Sequence, residues 1–112
     1  MNSTLDPNGM AGRVCLVTGA TSGIGKATAT SLAAQGAEVI VIGRNQRKAD
    51  DTVSWITSET GNRAVRYLLA DFADLGQVRD LARALNEQTS HLDVLVNNAG
   101  GFFNTRREPP YG

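Results

Sequence analysis

The segment Thr18-Gly-Ala-Thr-Ser-Gly-Ile-Gly25 decides the fold of this chain. An apolar run at residues 13–18 leads into it, without the alternation of apolar and polar residues that marks a half-exposed strand. A run rich in small residues follows from Ile24 to Gln35 and stops at Gly36, a natural helix C-cap. The order is therefore buried strand, glycine loop and helix, which favours a site where backbone N–H groups meet a phosphate.

The glycine spacing leaves four interpretations. A P-loop needs G-x-x-x-x-G-K-[ST], but Ala20 replaces its first glycine and Ala27 replaces the hydroxyl residue that holds Mg²⁺. The dinucleotide fingerprint G-x-G-x-x-G begins at Gly23 and is not completed, because Thr28 stands where the third glycine belongs. A spaced variant, G-x-x-x-G-x-G, fits all three glycines, and a tight turn without a ligand is the structural alternative.

The rest of the chain alternates short apolar runs with helical periodicity. Such alternation forms βαβ units, and right-handed crossovers place their strands side by side in a parallel sheet. We therefore predict an α/β fold, a doubly wound parallel sheet of strand order 3-2-1-4 with its ligand crevice beyond strands 1 and 4. The predicted strands are residues 13–18, 38–42, 64–70 and 92–96. The first predicted helix spans residues 24–35, and the second follows the N-cap Asn45 and ends at Gly61. The third follows the N-cap Asp74, with Gln77 completing a capping box.

Composition and charge exclude several classes of partner. The chain has 112 residues, with 11 Lys and Arg against 11 Asp and Glu, so neither a nucleic-acid footprint nor an anionic-membrane anchor is expected. No apolar run approaches the roughly 20 residues of a membrane helix, and residues 1–12 do not read as a secretory signal. We predict a cytoplasmic protein with a flexible tail at residues 1–12 and its single cysteine, Cys15, in the core.

Two motifs together resemble those of the short-chain dehydrogenase/reductase family: T-G-x-x-x-G-I-G after the first strand and N-N-A-G at residues 97–100 after the fourth. The resemblance covers residues 13–101. It implies the N-terminal, cofactor-binding portion of a Rossmann-type fold, truncated before a fifth strand, with residues 102–112 as a loop. The G-K-A-T-A and G-R-N runs look closest to the retinol-dehydrogenase-like branch of the family.

The resemblance also implies which residues meet the nicotinamide dinucleotide. Asp71 matches an acidic residue that hydrogen-bonds the adenine ring, although a helix cap or an ordinary loop acid is the alternative, and Asn97 is expected to tie strand 4 to its neighbours. The residues predicted to bind the cofactor are Gly19, Thr21, Ser22, Gly23, Ile24, Gly25, Arg44, Asn45, Asp71, Phe72, Asn98, Ala99 and Gly100.

The end of the second strand predicts which dinucleotide is preferred. NAD sites place a carboxylate there for the ribose 2′-OH, whereas NADP sites need positive charge for the 2′-phosphate. The sequence reads Gly43-Arg-Asn45, without an acid, and a guanidinium suits bidentate contact with a phosphate. We therefore predict NADP in preference to NAD.

The catalytic residues that the resemblance implies do not occur in the 112 residues. The family uses a Tyr and a Lys in Y-x-x-x-K together with a Ser, but Tyr67 is followed four positions later by Asp71, and Tyr111 lies one residue from the last. The expected function is alcohol/carbonyl interconversion by hydride transfer on a small-molecule substrate in a longer enzyme, with oligomeric state left open. We expect this portion to bind cofactor without catalysing the reaction. A non-catalytic dinucleotide-binding sensor or scaffold module is the alternative.

Overall fold

A computed structural model describes residues 9–21 and 23–97, and they form four strands that alternate with three helices. In chain order the elements are β1 (Val14–Thr18), α1 (Gly23–Ala34), β2 (Glu38–Gly43), α2 (Gln46–Thr60), β3 (Val65–Leu69), α3 (Leu75–Gln88) and β4 (Val94–Asn97). Each predicted element is present, with ends that agree with the prediction or differ from it by at most two residues.

The four strands form one parallel sheet of order β3-β2-β1-β4, as predicted. Strand β1 lies between β2 and β4, with Thr18 opposite Ile42 on one side and Asn97 on the other. The chain therefore reverses its direction of winding beside β1, and the fold is of the Rossmann type.

The two faces of the sheet are covered unequally. Helices α1 and α2 pack on the face that carries Cys15, Val17 and Val39, and Ala29 and Ile56 complete this buried cluster. Helix α3 packs on the other face through Leu81 and Leu85, against a cluster that includes Leu16 and Ile40. Because β1 and β2 are buried on both faces, their sequences are continuous apolar runs, as parallel strands require.

The helix ends confirm three of the sequence signals. The Asn45 side chain accepts a hydrogen bond from the Lys48 N–H at the start of α2, and Gly61 ends that helix in the left-handed region with φ of 75°. Gly36, with φ of 93°, follows α1, and the Ala37 N–H reaches back to the Leu32 carbonyl in a Schellman arrangement.

The capping box expected at α3 is formed in part. The Asp74 side chain accepts hydrogen bonds from the N–H groups of Gly76 and Gln77, as an N-cap should. The Gln77 side-chain oxygen, however, accepts from the Asp71 N–H and not from the Asp74 N–H. The reason is that the Asp74 N–H already donates to the Asp71 carbonyl and closes the turn before the helix.

Asp93 fastens the amino edge of the sheet, where β4 begins beside β1. Its carboxylate accepts from the buried Val14 N–H at 2.8 Å and lies 3.8 Å from the Arg13 guanidinium. The His91 Nε2 lies 3.0 Å from the same carboxylate. His91 lies in the connection before β4 and is held there by Asp93.

Candidate dinucleotide-binding site

The carboxyl ends of all four strands meet at one edge of the sheet. Thr18 ends β1 and faces Asn97 of β4 across the ladder, while Gly43 of β2 faces Leu69 of β3. The loops after the strands therefore emerge together, and these loops carry the residues predicted to bind the cofactor. In open α/β sheets this crevice is where ligands bind.

Glycine is required in the loop after β1 for two different reasons. Gly19 and Gly23 have φ of 64° and 58°, a backbone region that side chains with a Cβ rarely adopt. Gly25 is buried in the first turn of α1, and a Cβ placed on it would lie 2.1 Å from the Gly19 carbonyl oxygen. The helix can thus approach the loop only because residue 25 has no side chain.

The first turn of α1 is arranged to receive an anion. The leading N–H groups of any helix lack intrahelical partners and carry partial positive charge. This turn contains no acidic residue that would oppose an incoming phosphate. Ile24 stands in it with 78% of its surface exposed, so an apolar side chain lies beside the exposed N–H groups. Ser22 lies outside the residues that the structure describes.

Thr21 joins the glycine loop to the end of β2. A Cβ on Gly43 would lie 3.5 Å from the Thr21 methyl group, so the loop packs directly over the point where β2 ends. Arg44 and Asn45 follow at once and are exposed. The loop and the predicted 2′-phosphate ligand, Arg44, are therefore neighbours, although 23 positions separate Thr21 from Arg44 in the sequence.

The side chains of Arg44 and Asn45 differ in the interactions that they already make within the protein. Among the ion pairs of the described residues none involves Arg44, so its guanidinium is available to a ligand. The Asn45 side-chain oxygen accepts from the Lys48 N–H at 3.0 Å as the N-cap of α2. Its amide NH₂ is the part that remains for cofactor contact.

Thr18 and Asn97 tie the two strands that border the crevice. The Thr18 hydroxyl donates to the Asn97 side-chain oxygen at 2.9 Å. The expectation that Asn97 links strand 4 to its neighbours is confirmed. The predicted contacts at Asn98, Ala99 and Gly100 fall outside the described residues and stay predictions.

Asp71 has a local structural role in the turn after β3. One oxygen of its carboxylate accepts the Ala73 N–H at 2.9 Å, and its own N–H is bound by Gln77. The helix cap is Asp74, so that alternative for Asp71 is wrong. Beside it Phe72 is 45% exposed, which leaves an aromatic face at the carboxyl edge of the sheet.

One feature near the loop was missed from sequence. Lys26 of α1 lies over the ring of Trp55 in α2, with Nζ 4.2 Å from the ring centroid. In the sequence Lys26 is the second residue of the G-K-A-T-A run that follows the glycine loop. Trp55 is 43% exposed. No local sequence pattern indicates the pair, because its two residues lie on different helices.

Comparison with known proteins agrees with this geometry. Residues 13–110 match the family model described as short chain dehydrogenase, and the chain belongs to that family. It is 44% identical over 98 residues to a candidate daunorubicin C-13 ketoreductase of Streptomyces sp. (strain C5), covering 88% of this chain and 34% of the relative. It is 42% identical over 101 residues to polyprenol dehydrogenase of Mus musculus, and the match covers 90% of this chain and 30% of that relative. Human retinol dehydrogenase 11 is 40% identical over 89 residues, and the match covers 80% of this chain and 28% of that relative.

Solved structures show the same likeness. A short chain dehydrogenase from Shigella flexneri 2a, complexed with NADP, superimposes with a TM-score of 0.77 at 33% identity, over 84% of this chain and 40% of that one. The NADP complex of RhlG from Pseudomonas aeruginosa gives a TM-score of 0.74 at 36% identity, over 88% of this chain and 38% of that one. The chain spans about a third of the length of the curated relatives named above.

The helices of the described part of the chain are all too short or too polar to cross a membrane.

Proposed function

We propose that this chain binds a nicotinamide dinucleotide at the carboxyl edge of its sheet, and that NADP is preferred to NAD. In the whole protein the bound cofactor serves the interconversion of an alcohol and a carbonyl group. The observation that carries the proposal is the close approach of α1 to the glycine loop after β1, where a Cβ on Gly25 would lie 2.1 Å from the Gly19 carbonyl oxygen. The leading N–H groups of a helix in that position favour the binding of a phosphate.

Family membership and the cofactors of related structures support nicotinamide dinucleotide binding. The Shigella flexneri and Pseudomonas aeruginosa relatives are described with NADP. The names of the sequence relatives refer to the oxidation of alcohols or the reduction of a ketone. A small-molecule alcohol or carbonyl compound is accordingly the proposed substrate. The fully buried Cys15 suits a cytoplasmic protein, because no cysteine of the chain needs an oxidising compartment.

When bound, the cofactor supplies the hydride acceptor or donor. The residues of this chain hold and orient it. The leading N–H groups of α1 bind the pyrophosphate, and the exposed Ile24 and Phe72 cover apolar parts of the dinucleotide. The hydrogen bond between Thr18 and Asn97 keeps the two walls of the crevice at a fixed separation. A crevice that is ordered before binding reduces the conformational entropy that the protein would otherwise lose when the cofactor binds.

The preference for NADP is assigned to Arg44. It is exposed, stands directly after β2 beside the glycine loop, and has no carboxylate partner among the described residues. A guanidinium can donate two parallel hydrogen bonds to a phosphate, an interaction that NAD lacks because it has a 2′-OH.

The experiment measures dissociation constants for NADPH and NADH by titration calorimetry. In Arg44→Ala we expect the affinity for NADPH to fall about tenfold or more, the value of one charged hydrogen-bond pair, with little change for NADH. Arg63→Ala is the matched control, because Arg63 is exposed just before β3, at the opposite edge of the sheet. An unchanged NADPH to NADH ratio in Arg44→Ala would refute the assignment, and absence of binding to either dinucleotide would refute the proposed function.

A further inference from the structure

Strand β3 forms one edge of the sheet, and within the part of the chain that the structure describes no strand pairs with its outer side. The Ala64 carbonyl accepts from the Val39 N–H, and the Ala70 N–H donates to the Gly43 carbonyl, so both face β2. Hydrogen-bonding direction alternates from residue to residue along a strand. The backbone groups of Val65, Tyr67 and Leu69 therefore point away from β2, and they form the outer edge of β3.

Nothing along the outer edge of β3 blocks pairing with another strand. Natural edge strands are often protected by proline or lysine, and residues 62–72 contain neither. Arg66 is the only charged residue of β3, and its guanidinium is bound to Glu38 of β2 while its Nε donates to Gln88 at 3.0 Å. Leu69 is 42% exposed. The edge thus combines available backbone groups with exposed apolar surface, as in strands that accept a further strand.

The residues that flank β3 carry charges of opposite sign. The exposed Arg63 precedes the strand, and Asp71 follows it. Among the ion pairs of the described residues none involves Arg63. One Asp71 oxygen accepts the Ala73 N–H, and a carboxylate has further acceptor positions for another contact. A strand that runs antiparallel to β3 complements it if its own amino end is basic and its carboxyl end acidic, and β3 itself has this arrangement.

We infer that β3 pairs antiparallel with β3 of a second copy of this chain, about a two-fold axis at Tyr67. In this register Tyr67 lies opposite its own copy, and Val65 lies opposite Leu69 of the partner subunit. Outward-facing residues that lie directly opposite exchange both backbone hydrogen bonds, so every outward N–H and C=O of β3 is used. A shift by one residue would set outward groups against groups already bonded to β2, so the register is specified.

The same two-fold axis brings the flanking charges together. Arg63 lies beside Asp71 of the partner subunit, and the symmetry repeats this contact at the other end of the strand. A parallel pair would instead bring like charges together. The two sheets become one continuous sheet of order β4-β1-β2-β3-β3′-β2′-β1′-β4′. This inference does not rest on the proposed function, because β1 and β4 border the proposed crevice and β3 forms the paired edge.

The first test measures the molar mass of the purified protein by sedimentation velocity over about a hundredfold range of concentration, because association follows mass action. Leu69→Lys places a charge in the paired edge and should raise the dimer dissociation constant about tenfold or more, as expected when charged groups are buried without partners. Leu92→Lys is the matched control, because Leu92 is 43% exposed and lies before β4 at the other edge. Circular dichroism checks that each variant is folded.

The second test exchanges the flanking charges. Arg63→Asp and Asp71→Arg each bring like charges together twice in a homodimer, so each should raise the dissociation constant about two- to thirtyfold, the effect of two exposed charge pairs. In an equal mixture the two variants can form a heterodimer in which both contacts join opposite charges. The mixture should therefore associate nearly as strongly as wild type. If Leu69→Lys is unfolded, this second test decides.

Three results overturn the inference. One is a wild-type protein that stays monomeric over the whole concentration range. Another is a dimer that Leu92→Lys weakens as much as folded Leu69→Lys does, or that Leu69→Lys does not weaken. The third is a mixture of Arg63→Asp and Asp71→Arg that associates no more strongly than either variant alone. A dimer that binds neither dinucleotide would support this inference and refute only the proposed function.

Discussion

Replacing Gly25 with alanine should separate the start of α1 from the glycine loop. The added Cβ would lie 2.1 Å from the Gly19 carbonyl oxygen and 2.8 Å from the Gly19 carbonyl carbon. Both are backbone atoms, so no side chain can rotate away. An ordinary carbon–oxygen contact is about 3.3–3.6 Å, so the helix or the loop must withdraw by roughly 1 Å.

This displacement has a cost in stability and in binding. Forcing an extra methyl group into a packed site typically costs about 1–3 kcal/mol, and we expect the upper end because the opposing atoms belong to the backbone. The same movement should displace the leading N–H groups of α1 from the proposed phosphate position. Loss of a charge-assisted hydrogen bond weakens binding by about tenfold or more, so the NADPH affinity should fall by at least that factor.

Gly61→Ala is the matched control. Gly61 has φ of 75° and open space around its Cβ position, and it lies at the C-terminal end of α2. Alanine there should cost about 1 kcal/mol through backbone strain, without affecting NADPH binding. Urea unfolding followed by far-ultraviolet circular dichroism gives the free energy of unfolding of each variant, and calorimetry gives the binding constants.

Either of two results would contradict a close approach of α1 to the glycine loop that matters for stability and binding. One is a Gly25→Ala protein whose free energy of unfolding lies within about 0.5 kcal/mol of wild type, the usual range of surface substitutions. The other is a Gly25→Ala protein that binds NADPH as wild type does, which would show that the N–H groups of α1 do not contact the cofactor.

Two further predictions concern the folded state. Asp93→Ala should lower the free energy of unfolding by about 2 kcal/mol, because it leaves the buried Val14 N–H without an acceptor. Asp93→Asn keeps an acceptor and should lower it by less than half as much. Equal losses for the two variants in urea unfolding would contradict this prediction. Burial, and secondarily the Asp93 charge, raises the pKa of the Cys15 thiol above its ordinary value of 9.0, against a smaller opposing effect of Arg13. The unfolded state therefore loses the thiol proton first, so Cys15 contributes a stability that is fully present below its unfolded pKa and declines as pH rises above it. Unfolding midpoints measured between pH 7 and about 10 should fall more steeply for wild type than for Cys15→Ala, and parallel curves would count against the effect.

Much of the fold followed from local signals that act independently of one another. The apolar runs of β1 and β2 are buried on both faces, and Asn45, Gly61 and Asp74 mark helix ends where capping chemistry places them. Strand order followed as well, because the handedness of the crossovers leaves few alternatives once the elements are known.

The features that sequence reasoning missed depend on competition or on contacts between elements. Gln77 fits a capping box by spacing, but the N–H that it should bind is already used by the turn at Asp71. The contact of Lys26 with Trp55 joins two helices across a groove, and no local pattern encodes it. At Asp71 a local hydrogen bond and a proposed ligand contact use the same carboxylate. The sequence does not indicate which of its two oxygens makes which contact.

The central position of β1 links cofactor binding to the order in which the chain can fold. Strands β1, β2 and β3 pair with strands that are consecutive in the chain. The crevice also needs β4, whose contacts with β1 join residues 79 positions apart. Closing that long loop costs entropy before any contact compensates for it. A partly folded chain with β1 to β3 in place would therefore carry the glycine loop and Arg44 but only one wall of the crevice. The crevice proposed to enclose a dinucleotide is therefore complete only when the most distant strand joins the sheet.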